Sequence, residues 1–392
     1  MIRSPLSSFA SLTLATAVCL TAGLAAGPAA AQSKGITLPP SGGNQRATVT
    51  QQIGLVSVSI DYSSPHVHSP TGENRKGKIW GKGALVPYGM ANLGFGTCGE
   101  NCPWRGGANE NTVFTVSHDV KVQGQPLPAG TYGLHFIPGA DEWTIIFSKN
   151  STSWGSFTYD PKEDALRVTA KPEPAEYHEV LTYEFPERKL ETATVALQWE
   201  NLKVPFVITV DNPYDLYVEN LRHELRSSPG FTSQNWLAAA QFSLANKTHM
   251  DLGLKWARQA INPAFGGKES FDTLSTLADL ETANGQDAEA KKTMDRALND
   301  PSAQPIDLHL YGRRLLVAKK PQEAMKVFEL NAKRHPNVWP VHVGLARGYA
   351  ALGKKKEALA EAKLALPQAP DPGNQKNVEN MIQQIEAGQA ID

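Results

Sequence analysis

The sequence predicts a multidomain β plus α chain, an N-terminal antiparallel β-sandwich followed by a C-terminal superhelix of paired α-helices. Two observations carry that prediction. Apolar residues recur at every second position over roughly the first half, and at helical spacing over the second. The back half also repeats itself at a fixed interval, as stacked helical hairpins do. A chain of 392 residues is long enough for two or three separate cores.

Residues 1–31 read as a signal peptide. Arg3 supplies the positive end, Phe9 to Ala26 is apolar apart from Ser, Thr and Gly, and Ala29-Ala30-Ala31 offers a small-residue cleavage site. Cleavage near Ala31 predicts a periplasmic or extracellular protein, with no integral membrane span in the mature chain. The apolar run is short and Thr-rich for a membrane anchor. Residues 32–47 follow as a Pro- and Gly-containing lead-in.

From residue 48 to 211 the period is two. Val56, Val58, Ile60 and Tyr62 alternate with polar or small neighbours, as Thr48 and Thr50 do before them. Short runs such as "NTVFTVS", "TYGLHFIP", "EWTIIFSK" and "VPFVITV" follow, separated by "QGQPLPAG", "PGADE" and "KPEPAE". Eight to ten short strands with turn chemistry between them predict a sandwich. Trp143, Trp154 and Trp199 sit in these runs and read as core residues more readily than as a sugar platform.

At residue 212 the period lengthens. Asn212 and Pro213 suit a helix start, and Tyr214, Tyr217, Val218, Leu221 and Leu225 follow on one face, giving a connecting helix over 212–230. Over residues 231–392, "GQDAEAKKTMDRAL", "KPQEAMKVFELNA" and "GKKKEALAEAKLAL" align on Ala290, Ala324 and Ala358. The intervals, 324 − 290 = 34 and 358 − 324 = 34, are the tetratricopeptide period. An earlier copy aligns Ala260 with Ala297, so four helix pairs are predicted, closed by a capping helix with Val378, Met381, Ile382 and Ile385 on its inner face. Small residues let paired helices approach closely, and Leu315, Leu316, Val327, Phe328, Leu345 and Tyr349 fill the space between pairs. Such arrays present a groove to a protein or peptide partner, or pack on a neighbouring domain.

The charge balance excludes some partners. Charged residues make up 20% of the chain and the net charge is −1, so nothing in the overall balance draws the surface to nucleic acid or anionic lipid. Two cysteines remain after the signal, Cys98 and Cys102. In an oxidising compartment they read as a disulfide across a short loop, with a redox pair or metal ligands as the alternatives.

The candidate ligand-binding cluster is "WRGGANE". Arg105 offers a planar fork to a carboxylate or phosphate, Glu110 can accept a proton, Asn109 both donates and accepts, and Trp104 can stack on a ring. The competing structural reading has Trp104 at the core edge, Arg105 paired with Glu110, and Gly106-Gly107 bending the chain into a strand. His66 and His68 form the one His-x-His pair, with His118 or His135 as a third metal ligand, but Pro65 and Pro70 place the pair in a loop and no metal motif is present. No nucleophile elbow, P-loop or dinucleotide fingerprint occurs, so no catalytic residue is named and no cofactor is expected.

The ordered motifs "SIDYSSP", "KGKIWGKGALVPYG", "WRGGANENTVF", "LPAGTYGLHFIP" and "WGSFTYDPKEDALRVTAKP" resemble the DUF2911 family, exported bacterial proteins of uncharacterised function. The resemblance covers about residues 48–211 and implies no activity. Against the family pattern, "HVHSPTGENR" and "MANLGFGTCGENCP" lengthen two connections, and both are expected as loops beside the WRGGANE cluster, forming a lid or a disulfide-pinned rim. The combined expectation is an exported binding or scaffold protein. Its ligand-binding end would lie on the sandwich and take a small ligand or glycan, and its repeats would hold a partner. A cell-envelope hydrolase using Arg105, Asn109 and Glu110, or a carbohydrate-binding module, are the alternatives.

Overall fold

The computed structural model describes residues 44–391, so the expected signal peptide at 1–31 and most of the lead-in lie outside the described residues. Among the described residues ten strands form two antiparallel sheets. They are β1 (Gln45–Ile53), β2 (Val56–Ser64), β3 (Thr112–Val116), β4 (Val120–Val122), β5 (Gln125–Leu127), β6 (Gly130–Ile137), β7 (Trp143–Ser148), β8 (Asp164–Ala170), β9 (Glu173–Arg188) and β10 (Thr192–Thr209). One sheet runs β1-β2-β3-β6-β7-β8, the other β5-β4-β10-β9.

The two-residue rhythm does what it predicted on β2, where Val56, Val58, Ile60 and Tyr62 all point into the core. On β1 the inward set is Ala47, Val49 and Ile53. Thr48 and Thr50, the pair chosen from sequence, face solvent, where their hydroxyls bond Asp61 and Ser59 across the ladder. That strand starts at Gln45, inside the expected lead-in, because antiparallel pairing with β2 runs from Gln45–Ser64 to the Gly54 turn. Aromatic pairs close the sandwich: Phe147 meets Phe206 at 6.3 Å and Tyr62 meets Tyr183 at 4.8 Å.

Helix α1 (Pro213–Glu224) bridges the two halves. Pro213 occupies its first turn as predicted, but Asn212 makes no side-chain cap bond and sits in the left-handed region. Tyr217 lies against Gly54 on one side and Phe242 on the other. Four antiparallel pairs follow: α2 (Ser233–Asn246) with α3 (Met250–Ala260), α4 (Phe271–Ala283) with α5 (Asp287–Asn299), α6 (Pro305–Val317) with α7 (Pro321–Arg334), and α8 (Trp339–Ala351) with α9 (Lys355–Ala365). The capping helix α10 (Pro372–Glu386) buries Val378, Met381 and Ile385 against α9.

The repeat is visible in three kinds of position. Ala290, Ala324 and Ala358 are all buried, as are Ala297 and Ala365. Asn331 stands where those last two place an alanine and is equally buried, its Nδ2 donating to the Pro305 carbonyl. The turns inside three successive pairs take a left-handed residue at Gly285, Lys319 and Gly353, with φ of 73°, 59° and 74°. These positions are again 34 apart (319 − 285 and 353 − 319). Left-handed backbone is what ends a helix cheaply with glycine, and Lys319 adopts it without that advantage. Phe328 fills the junction of α6 and α8, with its ring seated on Gly312, Gly344 and Gly348.

Candidate functional site

The WRGGANE cluster is a corner stapled to both sheets. Trp104 and Phe136 exchange backbone bonds of 2.7 Å each, so the chain enters beside β6. The Trp104 ring joins a four-indole cluster, 5.5 Å from Trp80, 6.1 Å from Trp143 and 6.4 Å from Trp199. Gly106 lies under Phe136 and Tyr183, where a Cβ would stand 2.6 Å from each side chain, and the Tyr183 hydroxyl donates to the Gly106 carbonyl at 2.8 Å. Glycine is required there by close approach as well as by φ of 66°.

Arg105 and Glu110 do not pair in the way the structural reading expected. Arg105 Nη1 donates to the Asn109 carbonyl at 2.6 Å, and the guanidinium lies over the Phe157 ring at 5.1 Å and against Gly155. Burial pulls its pKa below the usual arginine value. Glu110 takes a long bond from the Ser63 hydroxyl at 3.5 Å. Asn109, at φ 59°, makes the turn and accepts from Asn44. The residues are adjacent, and the bonds that Arg105 and Asn109 make serve the corner itself.

Beside this corner opens a cleft of about 480 Å³. The lengthened connection 90–103 forms one side through Thr97, Cys98 and Asn101, and Tyr159, Asp160 and Arg167 form the other. Cys98 and Cys102 are joined as a disulfide with Cα atoms 5.3 Å apart. Thr97 donates its N–H to the Phe157 carbonyl at 2.7 Å, and Phe95 stacks on the Phe157 ring at 4.3 Å. The rim is thus tied to the residue that supports Arg105.

On the opposite wall, Arg167 Nη2 donates to the Tyr159 hydroxyl at 2.6 Å and Nε to Asp164 Oδ2 at 2.6 Å, while Tyr159 donates to the same oxygen at 2.9 Å. Burial and then the Asp164 bond push the Tyr159 phenol up to about 12, so it stays a donor. Behind it, the His135 ring stands 5.5 Å from Tyr159, and its Nδ1 lies 3.0 Å from Ser156 Oγ. Burial first, then the Arg105 charge, hold His135 down at about 4, so it is neutral at ordinary pH. Ser156 is only 2% exposed, which leaves no room for a substrate carbonyl at its oxygen. The arrangement can hold a ligand against a fixed wall of donors. It does not present an open nucleophile.

Sequence reasoning missed Tyr159, Asp164, Arg167 and His135 as a group. Tyr159 lies in the "WGSFTYD" block, but its partners come from β8 and β6, and a two-residue rhythm does not show which strands adjoin.

The remaining candidates are dispersed. His68 Nδ1 stands 3.0 Å from Glu179 Oε2 and His66 Nδ1 4.0 Å from Oε1, in a loop bridged to β9 at Val180. His118 bonds Ser117 and His135 bonds Ser156, so neither joins them. Among the described residues no group of three or more His, Cys, Asp or Glu side chains is placed to hold a metal. Trp143 and Trp199 are core residues, whereas Trp154 is in a loop and 59% exposed, contrary to the strand placement read from sequence.

In the helical half a groove of about 870 Å³ separates the α4–α5 pair from the α6–α7 pair. Met294, Leu298 and Tyr311 give it apolar lining, and Lys291, Asp295 and Lys326 line it with charges of both signs. Helix α6 also shows solvent a row of apolar side chains at i, i+4 and i+11: Ile306, Leu310 and Val317. No described helix is long and apolar enough to cross a membrane.

Residues 44–208, the β half, match the DUF2911 family model, described as a protein of unknown function. Among solved structures the chain is similar to YrrB, described as a TPR protein with an unusual peptide-binding site. That similarity has 12% identity and a TM-score of 0.30, over 44% of this chain and 86% of that one. No curated protein matches the chain.

Proposed function

We propose that this is an exported binding or scaffold protein whose helical array docks a segment of a partner protein and whose β-sandwich end takes a small ligand. The observation that carries the reading is the groove between α4–α5 and α6–α7, roomy at about 870 Å³, lined by apolar side chains and by lysines and carboxylates together. An apolar strip flanked by both signs of charge suits a polypeptide segment with a few apolar anchors. Export is supported by the signal-like residues 1–31 and by the Cys98–Cys102 disulfide, which persists in oxidising compartments. The cleft bounded by Thr97, Cys98 and Asn101 supports a small-ligand site near, but not on, Trp104, Arg105, Asn109 and Glu110. The hydrolase reading gains less support, because Arg105 is committed to Asn109 and the Ser156 hydroxyl beside His135 at the cleft is sealed.

The test is affinity capture from the exported fraction with the mature chain, compared with Lys291→Glu/Lys320→Glu/Lys326→Glu. These three exposed lysines line the groove, so their reversal changes its charge without entering a core. Partners held by the wild type should be lost from the triple variant at unchanged helix content. Retention of the same partners would end the groove reading.

A further inference from the structure

A second depression in the β half lies where sequence reading saw only a family motif. The chain from Glu73 to Leu85 forms a glycine-rich loop around a space of about 530 Å³. Gly77, Gly81 and Gly83 adopt φ of +74°, +126° and +75°, and nothing lies within 4 Å of the place a Cβ would occupy on any of them. Backbone there is open to a close-approaching group.

Arg75, Lys78 and Lys82 line the same space. The one carboxylate among the lining residues is Glu73, whose Oε2 stands 3.9 Å from Arg75 Nε. Glu200 approaches from the sheet and takes the Gly77 N–H, and Lys76 lies over the Tyr177 ring at 5.0 Å. Three cations thus face one lining carboxylate in a chain whose net charge is −1. The overall balance, which argued against anionic partners, conceals this local excess.

The loop is anchored. Ile79 is fully buried, and the Trp80 ring is held by Trp104, Trp143 and Trp199 at 5.5, 5.2 and 5.5 Å. Lys78 and Lys82 flank that anchor two residues away on each side, so their backbone positions are fixed before any ligand arrives. Preorganised cations lose less on binding than cations on a free loop.

We infer that this depression binds a phosphate-bearing anion, with Arg75, Lys78 and Lys82 as counter-charges and the glycine backbone admitting the phosphate oxygens. Glu73 already stands beside Arg75, so Lys78 and Lys82 are the two lining cations without a carboxylate among the lining residues, and a doubly charged phosphate group matches them where a single carboxylate does not. The source is either a soluble phosphorylated molecule or a lipid headgroup. The inference is independent of the partner-docking groove in the helical array.

The experiment is calorimetric titration of the mature chain with pyrophosphate, with acetate as the monovalent control, alongside flotation with phosphatidylglycerol and phosphatidylcholine vesicles. Lys78→Gln/Lys82→Gln is compared with Lys333→Gln/Lys376→Gln, a charge-matched exposed pair on the helical array that lines neither this depression nor the groove. Saturable pyrophosphate binding, weakened about tenfold or more by the first pair and unmoved by the second at equal melting temperatures, is the expected result. Binding confined to pyrophosphate assigns a soluble ligand, and flotation with phosphatidylglycerol that pyrophosphate reverses assigns a headgroup. The inference is overturned if neither probe binds, if acetate binds as tightly, or if both lysine pairs weaken binding alike.

Discussion

Replacing Gly312 by alanine separates packing from propensity. Alanine in a helix interior is favoured over glycine by about 1 kcal/mol, and on an exposed face the change would stabilise. Here the new methyl would stand 2.6 Å from Phe328 Cζ and 2.8 Å from Cδ1. The ring has little room to step aside, because Gly344 closes on the same edge, its Cβ position 2.6 Å from Cδ1, and Gly348 on the opposite one, 2.9 Å from Cδ2. Overpacking of this kind costs about 1–3 kcal/mol, and a boxed ring belongs at the upper end. The net is a loss of about 2 kcal/mol, or a fall of about 4–8 °C in the melting of the helical half, followed by circular dichroism at 222 nm. The sharper test uses the Phe328→Leu background. With the ring gone the steric cost disappears, so Gly312→Ala should there raise the melting temperature. A wild-type-background variant that melts at or above the parent, or a destabilisation of equal size in both backgrounds, would refute the reasoning.

Two further outcomes follow from the β half. Trp143→Ala should cost about 3–5 kcal/mol in urea unfolding followed by tryptophan fluorescence, because it removes a fully buried indole packed on Trp80 and Trp104, whereas Trp154→Ala should move the stability by no more than about 0.5 kcal/mol. Acid should weaken the same unit through His135, held at about 4 when folded against an ordinary value of 6.5. Between those values the unfolded chain takes up a proton that the folded one refuses, so stability falls as pH drops from about 6.5 to about 4, and the slope from this group ends below that. His135→Gln should flatten the slope in that window, as measured by urea midpoints at stepped pH.

The architecture was legible because burial forces a period. Val56 to Tyr62 had to alternate to put one face inward, and Ala290, Ala324 and Ala358 had to recur because identical helix pairs meet at identical distances. Where local rules compete, the reading slipped. Thr48 and Thr50 have high strand propensity and so marked β1 correctly, yet propensity does not say which face turns inward; Ile53, at the end of that strand, does. Alternation reads Trp154 as a strand residue like Trp143 and Trp199, but it lies in the loop that carries Gly155 and Ser156 past Arg105 and His135.

The site was less legible for a different reason. "WRGGANE" drew notice because reactive residue types stand next to one another in the chain, and neighbours in the chain tend to satisfy one another, as Arg105 and Asn109 do. The walls that face open space are assembled from separated segments: Cys98 with Arg167 in one cleft, and Lys291 with Lys326 in the groove between helix pairs. Residues available to a ligand are those the fold leaves without a full set of local partners, and strand order, not spacing, decides which those are. The loop from Glu73 to Leu85 is the exception that supports the rule. Its cations are close in sequence, but buried Ile79 and the Trp80 anchor take up the intervening positions, so Lys78 and Lys82 are left facing the same open space.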